Sequence, residues 1–149
     1  MRIAVASDHA GYDLKSHLAA VLESWGYDVV DLGARSGTDS VDYPDFGEAV
    51  GHAVTSGDAE LGVAVCGTGI GISIAANKVP GVRAALVHDV TSAHLAREHN
   101  HANVLCFGGR VTGPAVAEEA LRAWLDATPG AGRHERRIDK LRALDERHD

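Results

Sequence analysis

The segment best suited to chemistry in this chain is Val65-Cys66-Gly67-Thr68-Gly69-Ile70-Gly71-Ile72. It sets a cysteine between an apolar run and a glycine-rich turn that leads into a helical pattern. Such a turn exposes several backbone N–H groups beside a helix N-terminus, which makes a ready anion site. A thiol in that setting sits at the positive end of a helix, which in general favours the thiolate, the form that acts as a base or nucleophile. Two blander readings stand beside this one. Most free cysteines behave as small buried hydrophobes, and Cys106, within an apolar run, is read that way. Gly67 and Gly69 also match the first two glycines of a dinucleotide-binding turn, with Asp89 at about the spacing of its ribose-binding acid. Against that, Ile72 occupies the third glycine's place, and the turn follows the third apolar run, not the first.

Asp8-His9 closes the first apolar run, where an acid beside a histidine suits proton transfer or phosphate contact. The alternative is a helix cap by Asp8 with an incidental histidine. His99-Asn100-His101 precedes the fifth run and reads as a polar turn. Its H-x-H spacing could also bind a metal, but no third or fourth ligand is spaced to complete such a site. Near the C-terminus, Gly132-Arg133-His134-Glu135-Arg136-Arg137-Ile138 opens a charged helix. At about 100° per residue from Arg133, Arg137 falls near 40°, Leu144 near 20°, Leu141 near 80°, Ile138 near 140° and Arg136 near 300°. Arg133 and Arg137 therefore lie on or beside the apolar stripe. They are expected to point toward the body or a neighbouring chain, with Arg136 toward solvent. Inward guanidiniums need an anion. A phosphate, which arginine forks bind bidentately, and internal carboxylates are the two candidates.

Five short β-branched runs must position these groups: Ile3–Ala6, Asp28–Leu32, Leu61–Val65, Val82–Val87 and Asn103–Phe107. Runs this short, bounded by Gly, Asp or Pro, read as buried strands. Helical patterns lie between them. Leu14, Leu18, Val21, Leu22 and Trp25 share one face, and Gly26 ends that helix. Pro44 suits the first turn of a second helix. Ile70–Ala76, Thr91–Glu98 and Pro114–Ala127 give three more, and a charged helix runs from about Arg133 to Arg147. Alternation of strand and helix predicts a parallel sheet covered on both faces, with right-handed crossovers. Ligands of such sheets bind beyond the carboxyl ends of the strands, where Asp8-His9, Cys66–Gly71 and Gly108–Arg110 fall.

The chain has 149 residues, enough for one domain with a real core and too few for an eight-stranded α/β barrel. No linker or repeat divides it, so residues 1–149 are expected to form a single domain. A net charge of −7 argues against a nucleic-acid or anionic-membrane surface as the main partner. Yet residues 132–149 carry 6 of the 14 Lys and Arg, so a local cation cluster for a small anion is possible. No apolar run approaches the length of a membrane span, and the N-terminal apolar stretch is too short for a signal peptide. Two cysteines give no disulfide framework, which makes a reducing cytoplasm the simplest compartment.

Together these segments resemble the type B ribose-5-phosphate isomerase family, which also includes galactose-6-phosphate isomerase subunits. The resemblance runs the length of the chain. It rests on Asp8-His9-Ala10-Gly11-Tyr12, Asp42-Tyr43-Pro44, Cys66-Gly67-Thr68-Gly69-Ile70-Gly71-Ile72-Ser73-Ile74-Ala75-Ala76-Asn77-Lys78, Arg97-Glu98-His99-Asn100, and Gly132-Arg133-His134 followed by Arg137. It implies a Rossmann-like three-layer α/β/α sandwich with strand order 2-1-3-5-4. The implied activity is interconversion of D-ribose 5-phosphate and D-ribulose 5-phosphate through a cis-enediolate, with no metal or other cofactor.

The family's base is a cysteine or a glutamate. Ile72 stands where the glutamate would be, so Cys66 is the implied base. His99 is implied to aid ring opening with Asp8 nearby, and Thr68 is counted with these three as catalytic. The amides of Gly67, Thr68, Gly69, Ile70 and Gly71 are implied to hold the enediolate oxygen. Asn100 and Tyr43 would contact the sugar, and His9, Arg110, Arg133 and Arg137 the phosphate. The implied assembly is a homodimer or dimer of dimers with interfacial sites. Alternatives are the same chemistry on a tetrose 4-phosphate or a hexose 6-phosphate such as allose or galactose 6-phosphate, or a non-catalytic nucleotide-binding module.

Overall fold

Side-chain size alternates along the central strands and decides how the helices cover them. In β1 (Arg2–Ser7), β3 (Leu61–Cys66) and β5 (Val104–Gly108), one face carries Ile3, Val5, Val63, Val65, Leu105 and Phe107. The other face carries Ala6, Ala64, Cys66, Val104 and Cys106. With the outer strands β2 (Asp28–Asp31) and β4 (Ala84–Leu86) they form one parallel sheet in the order β2-β1-β3-β5-β4. The computed structural model describes residues 1–146.

On the bulky face pack α1 (Tyr12–Ser24), α4 (Val90–Asn100) and α5 (Pro114–Asp126). Leu14, Leu18, Leu22, Ala96, Leu121 and Trp124 supply their buried stripes. On the small face pack α2 (Tyr43–Thr55) and α3 (Ile70–Asn77) through Val50, Ile72 and Ala76. These two helices lie unusually close. A Cβ on Gly47 would stand 2.8 Å from both the Ala75 Cβ and the Ile72 carbonyl oxygen. That contact fixes α3, and hence the turn before it, against α2. The result is the three-layer Rossmann-like sandwich, in the expected strand order. Among the described residues, no helix is long and apolar enough to cross a membrane.

Most strand and helix ends fall within one residue of expectation; β4 and α4 each differ by two at one end, through long-range partners. β4 is shorter than the run Val82–Val87. Val82 N–H closes a turn on the Val79 carbonyl, and Arg83 N–H donates to Asn103 Oδ1, so the ladder to β5 begins at Ala84. α4 is longer than Thr91–Glu98 and takes in His99 and Asn100, with His101 as its left-handed cap at φ 47°. Its last carbonyls find distant donors. Gly130 N–H reaches the Glu98 oxygen, and the Arg83 guanidinium reaches those of Asn100 and His101. The sixth helix, α6, spans Arg133–Asp145, and its expected end at Arg147 lies outside the described residues.

Lys15 is buried to 2% exposure on α1. Its Nζ donates to both Asp31 oxygens at 3.1 and 3.0 Å and to the Ala34 carbonyl at 2.9 Å, which pins the segment after β2. Lys15→Met keeps the stem but strands a carboxylate and a buried carbonyl. Because Asp31 is half exposed, the expected loss is about 2 kcal/mol, below the full penalty for breaking a buried pair. Urea unfolding checks it, and an unchanged midpoint contradicts it.

Candidate active site

Cys66 is the last residue of β3, 4% exposed, at the carboxyl end of the sheet. The Gly69 N–H donates to its Sγ at 3.2 Å, so the glycine turn folds back over the sulfur. Gly69 adopts φ +80°, and a Cβ there would lie 2.7 Å from the Phe107 carbonyl carbon. Only glycine fits that position. The turn after β5 is zipped to this one: Gly109 N–H donates to the Cys66 carbonyl at 2.8 Å and Arg110 N–H to that of Gly67 at 2.9 Å. Arg110 is thereby brought to the rim.

Not every amide of the turn is available. Those of Gly69 and Ile70 already have acceptors, in Cys66 Sγ and Thr68 Oγ1. Those of Gly67, Thr68 and Gly71 have none among the described residues. The expected five-amide cradle therefore contracts to three donors.

After β1, the Asp8 N–H donates to the Val65 carbonyl at 3.2 Å, which ties it to β3 beside Cys66. Its Oδ1 accepts the Gly11 N–H at 2.9 Å just ahead of α1. His9 Nδ1 accepts the Val41 N–H at 3.2 Å. Tyr43, at the start of α2, lies against Gly71, where a Cβ would be 2.6 Å from the tyrosine ring. These groups line one open cleft of about 500 Å³ that includes Asp8, His9, Tyr43, Cys66, Thr68 and Arg110.

The remaining predicted residues lie elsewhere. α4 runs back from the carboxyl ends of the strands, so His99 and Asn100 in its last turn sit at their amino ends, beside Arg83 and the entry to β5. β3 is six residues long, about 20 Å at roughly 3.3 Å per residue, and separates the two groups by the depth of the sheet. His99 stacks on His134 of α6, ring centroids 4.5 Å apart and planes 12° apart. Glu98 Oε1 stands 3.7 Å from His99 Nε2.

The orientation of α6 removes the body of its own chain, the first of the two expected directions, for Arg133 and Arg137. Ile138 is its one buried side chain, so the inward direction centres on Ile138 and His134. Arg133 and Arg137 lie to one side of that direction and are exposed, as are Leu141 and Leu144. Neither arginine pairs with a carboxylate among the described residues. They do not turn toward their own chain. Their field is felt locally: partial desolvation, then His99, Arg133 and Arg137, hold the His134 imidazole below its ordinary value, with Glu98 opposing. His134, which stacks on His99, is not among the expected site residues. Its place on the helix, near 100° and between the arginines and Ile138, was the available signal.

The competing readings meet specific obstacles. Asp89 caps α4 by accepting the Ser92 N–H at 2.6 Å, a bond that holds its carboxyl below the ordinary range. It also follows β4, which β5 separates from β3, so it does not flank the glycine turn. A ring nitrogen of His101 bonds the Gly130 carbonyl at 2.7 Å. Among the described residues, no three His, Cys, Asp or Glu side chains group as metal ligands would. Cys106 is fully buried, and burial, with Cys66 adding, pushes its thiol up.

Known proteins resemble this chain along almost its whole length. Residues 3–141 match the family model for ribose/galactose isomerase. The chain is 42% identical to ribose-5-phosphate isomerase B of Escherichia coli (strain K12) over 146 residues, covering 98% of this chain and 97% of that one. It is 40% identical to D-erythrulose-4-phosphate isomerase of Pectobacterium atrosepticum over 141 residues, with 95% and 93% coverage. The solved structure of ribose-5-phosphate isomerase B from Clostridium thermocellum matches with a TM-score of 0.98 at 46% identity, covering all of both chains.

Proposed function

The chain belongs to the ribose/galactose isomerase family and is an aldose–ketose isomerase; from that premise we propose that it interconverts D-ribose 5-phosphate and D-ribulose 5-phosphate, with Cys66 as the base. The observation that carries this reading is the Cys66 sulfur lying under a turn whose free amides belong to the same cleft.

The chemistry needs both parts together. The Cys66 thiolate removes the C2 proton of the open-chain aldose, and the electrons pass to O1 to give a cis-enediolate. The thiol then returns its proton to C1, while the remaining hydroxyl proton moves from O2 to O1 and C2 becomes the carbonyl. The Gly67, Thr68 and Gly71 amides are the donors left to meet the developing oxyanion, at about 10²–10³ in rate per donor. Arg110 and His9 take the phosphate, and that remote binding holds C1 and C2 at the sulfur. His99, aided by Asp8, opens the furanose ring. Asn100 and Tyr43 contact the sugar, and Arg133 and Arg137 complete the phosphate site.

His99, Asn100, Arg133 and Arg137 reach Cys66 only if they come from a second copy, so the reading includes a homodimer with two interfacial sites. Exposed Ile70 and Ile74 beside the cleft, and Leu141 and Leu144 on α6, suit surfaces that a partner covers. Residues 1–149 then act as one isomerase domain whose last helix serves the neighbouring site. Two free cysteines suit the reducing cytoplasm.

A substrate series tests the chain length. With ribose 5-phosphate, a tetrose 4-phosphate and hexose 6-phosphates (allose and galactose) compared by kcat/KM, the pentose should lead by at least about tenfold, some 1.4 kcal/mol of differential transition-state binding. The relative from Pectobacterium atrosepticum makes the tetrose the competing reading, and a tetrose in first place overturns ours. Arg137→Ala should weaken sugar-phosphate binding about 30-fold, against less than about twofold for Arg136→Ala, which lies opposite Ile138 and His134 on α6. Equal effects in a direct binding titration contradict the assignment.

A further inference from the structure

We propose that the main-chain amide of Val41 sets the donor face of His9, fixing the proton of the neutral ring on Nε2 so that this atom donates to the substrate's phosphate. The inference rests on the reading of the cleft as a sugar-phosphate site and adds to it a residue that never touches substrate.

A backbone N–H can only donate. His9 Nδ1, 3.2 Å from the Val41 nitrogen, is therefore the acceptor, and a neutral imidazole that accepts at one nitrogen carries its hydrogen on the other. Nε2 has no protein partner among the described residues, and His9 lines the cleft with Asp8, Tyr43, Cys66 and Arg110. The tautomer decides the sign of the contact. An Nε2–H attracts a phosphate oxygen, whereas the opposite tautomer would present a lone pair to it and set two N–H groups against each other at Val41.

Val41 is not a loose neighbour. The segment between β2 and α2 is bound to the sheet at its start, where Ser7 N–H donates to the Gly33 carbonyl and Ala34 N–H to that of Ser7, each at 2.7 Å. Lys15 holds the same Ala34 from beneath. Midway, the Ser36 hydroxyl accepts the N–H groups of Thr38 and Asp39. Two residues past Val41 the chain enters α2 at Tyr43. The amide is thus delivered from both sides, and the buried lysine, which has no part in the isomerisation, holds the base of the segment that carries it.

The test uses the full-length protein labelled with ¹⁵N-histidine, with the His9 signals assigned from their loss in His9→Gln. Near pH 8, above the ordinary histidine range, His9 should show a pyrrole-type Nε2 and an acceptor-type Nδ1 before any ligand is added. The reverse pattern, or an even mixture, overturns the proposal. Inorganic phosphate, titrated by calorimetry, reads the consequence. In His9→Gln a side-chain amide nitrogen can reach the Nε2 position, and phosphate binding should stay within about threefold of the parent. His9→Asn reaches only the Nδ1 position and should lose about tenfold or more. Equal losses, or a better Asn variant, overturn it. Val41→Pro removes the amide itself. If folded, it should mix the tautomers and raise KM more than it lowers kcat, and unaltered His9 signals would refute the link. The spectrum and the phosphate titration do not require turnover. Failure of the pentose-isomerase reading would show in the substrate series instead.

Discussion

Cys66→Ala should lower kcat by about 10³-fold or more while sugar-phosphate binding stays within about threefold. A positioned base contributes roughly 10²–10⁴, and neither Cys106 nor Asp8 is suited to replace it. Cys106, the other thiol, is fully buried and its thiol is pushed up. Asp8 already spends one carboxylate oxygen on the Gly11 amide. The phosphate contacts are untouched, so KM should move little, the signature of a group that acts in the transition state. Exchange of the C2 proton with solvent deuterium should disappear with turnover. Cys66→Ser sharpens the test, because its hydroxyl can still accept the Gly69 amide but is a far weaker base. If the serine variant recovered more than about a tenth of parental kcat, the sulfur would be a structural acceptor for Gly69 and not the base.

The second large effect is a recovery. Cys66→Ala and His99→Ala should each be nearly inactive alone, and mixing them after dissociation should restore activity. In a two-fold dimer built from one chain of each kind, one site collects both substitutions and the other collects neither. Random reassortment of equal amounts makes half the dimers mixed, each with one intact site in two, so recovery should approach about a quarter of the parental value. The effect follows from where the two residues lie, at opposite ends of the same parallel strands. If Cys66 and His99 served one site within one chain, mixing would restore nothing, and that result would sink the interfacial reading.

Much of this was legible in the sequence because its signals are local. The β-branched runs announce the strands, and the core of each lies where the run does. Cys66 followed by alternating glycines announces a strand, a turn and a helix. What stayed hidden depends on partners distant along the chain. His99 and Asn100 look like a turn because nothing nearby caps a helix there. They are helical because Gly130 and Arg83 satisfy the last carbonyls of α4. The arginines of α6 lie on or beside the apolar stripe with Leu141 and Leu144, a stripe that either the body of the chain or a neighbouring chain could cover. In the single chain Ile138 marks the buried face, and those leucines are exposed. A helical wheel finds an apolar stripe but does not say whether the chain itself or a second copy covers it. The turn also donates fewer amides than its glycines suggest, because Gly69 and Ile70 bind acceptors within the turn.

The single buried side chain of α6 has one more consequence. Protection from hydrogen exchange follows local burial, and the wholly buried strand β3 belongs to the last part of the molecule to open. In a lone chain α6, held by Ile138, the His99–His134 stack and the bond from Gly81 N–H to Asp145, should exchange faster than β3. A second copy that covers Leu141 and Leu144 should slow it, so the exchange of α6 would report assembly while that of β3 would not.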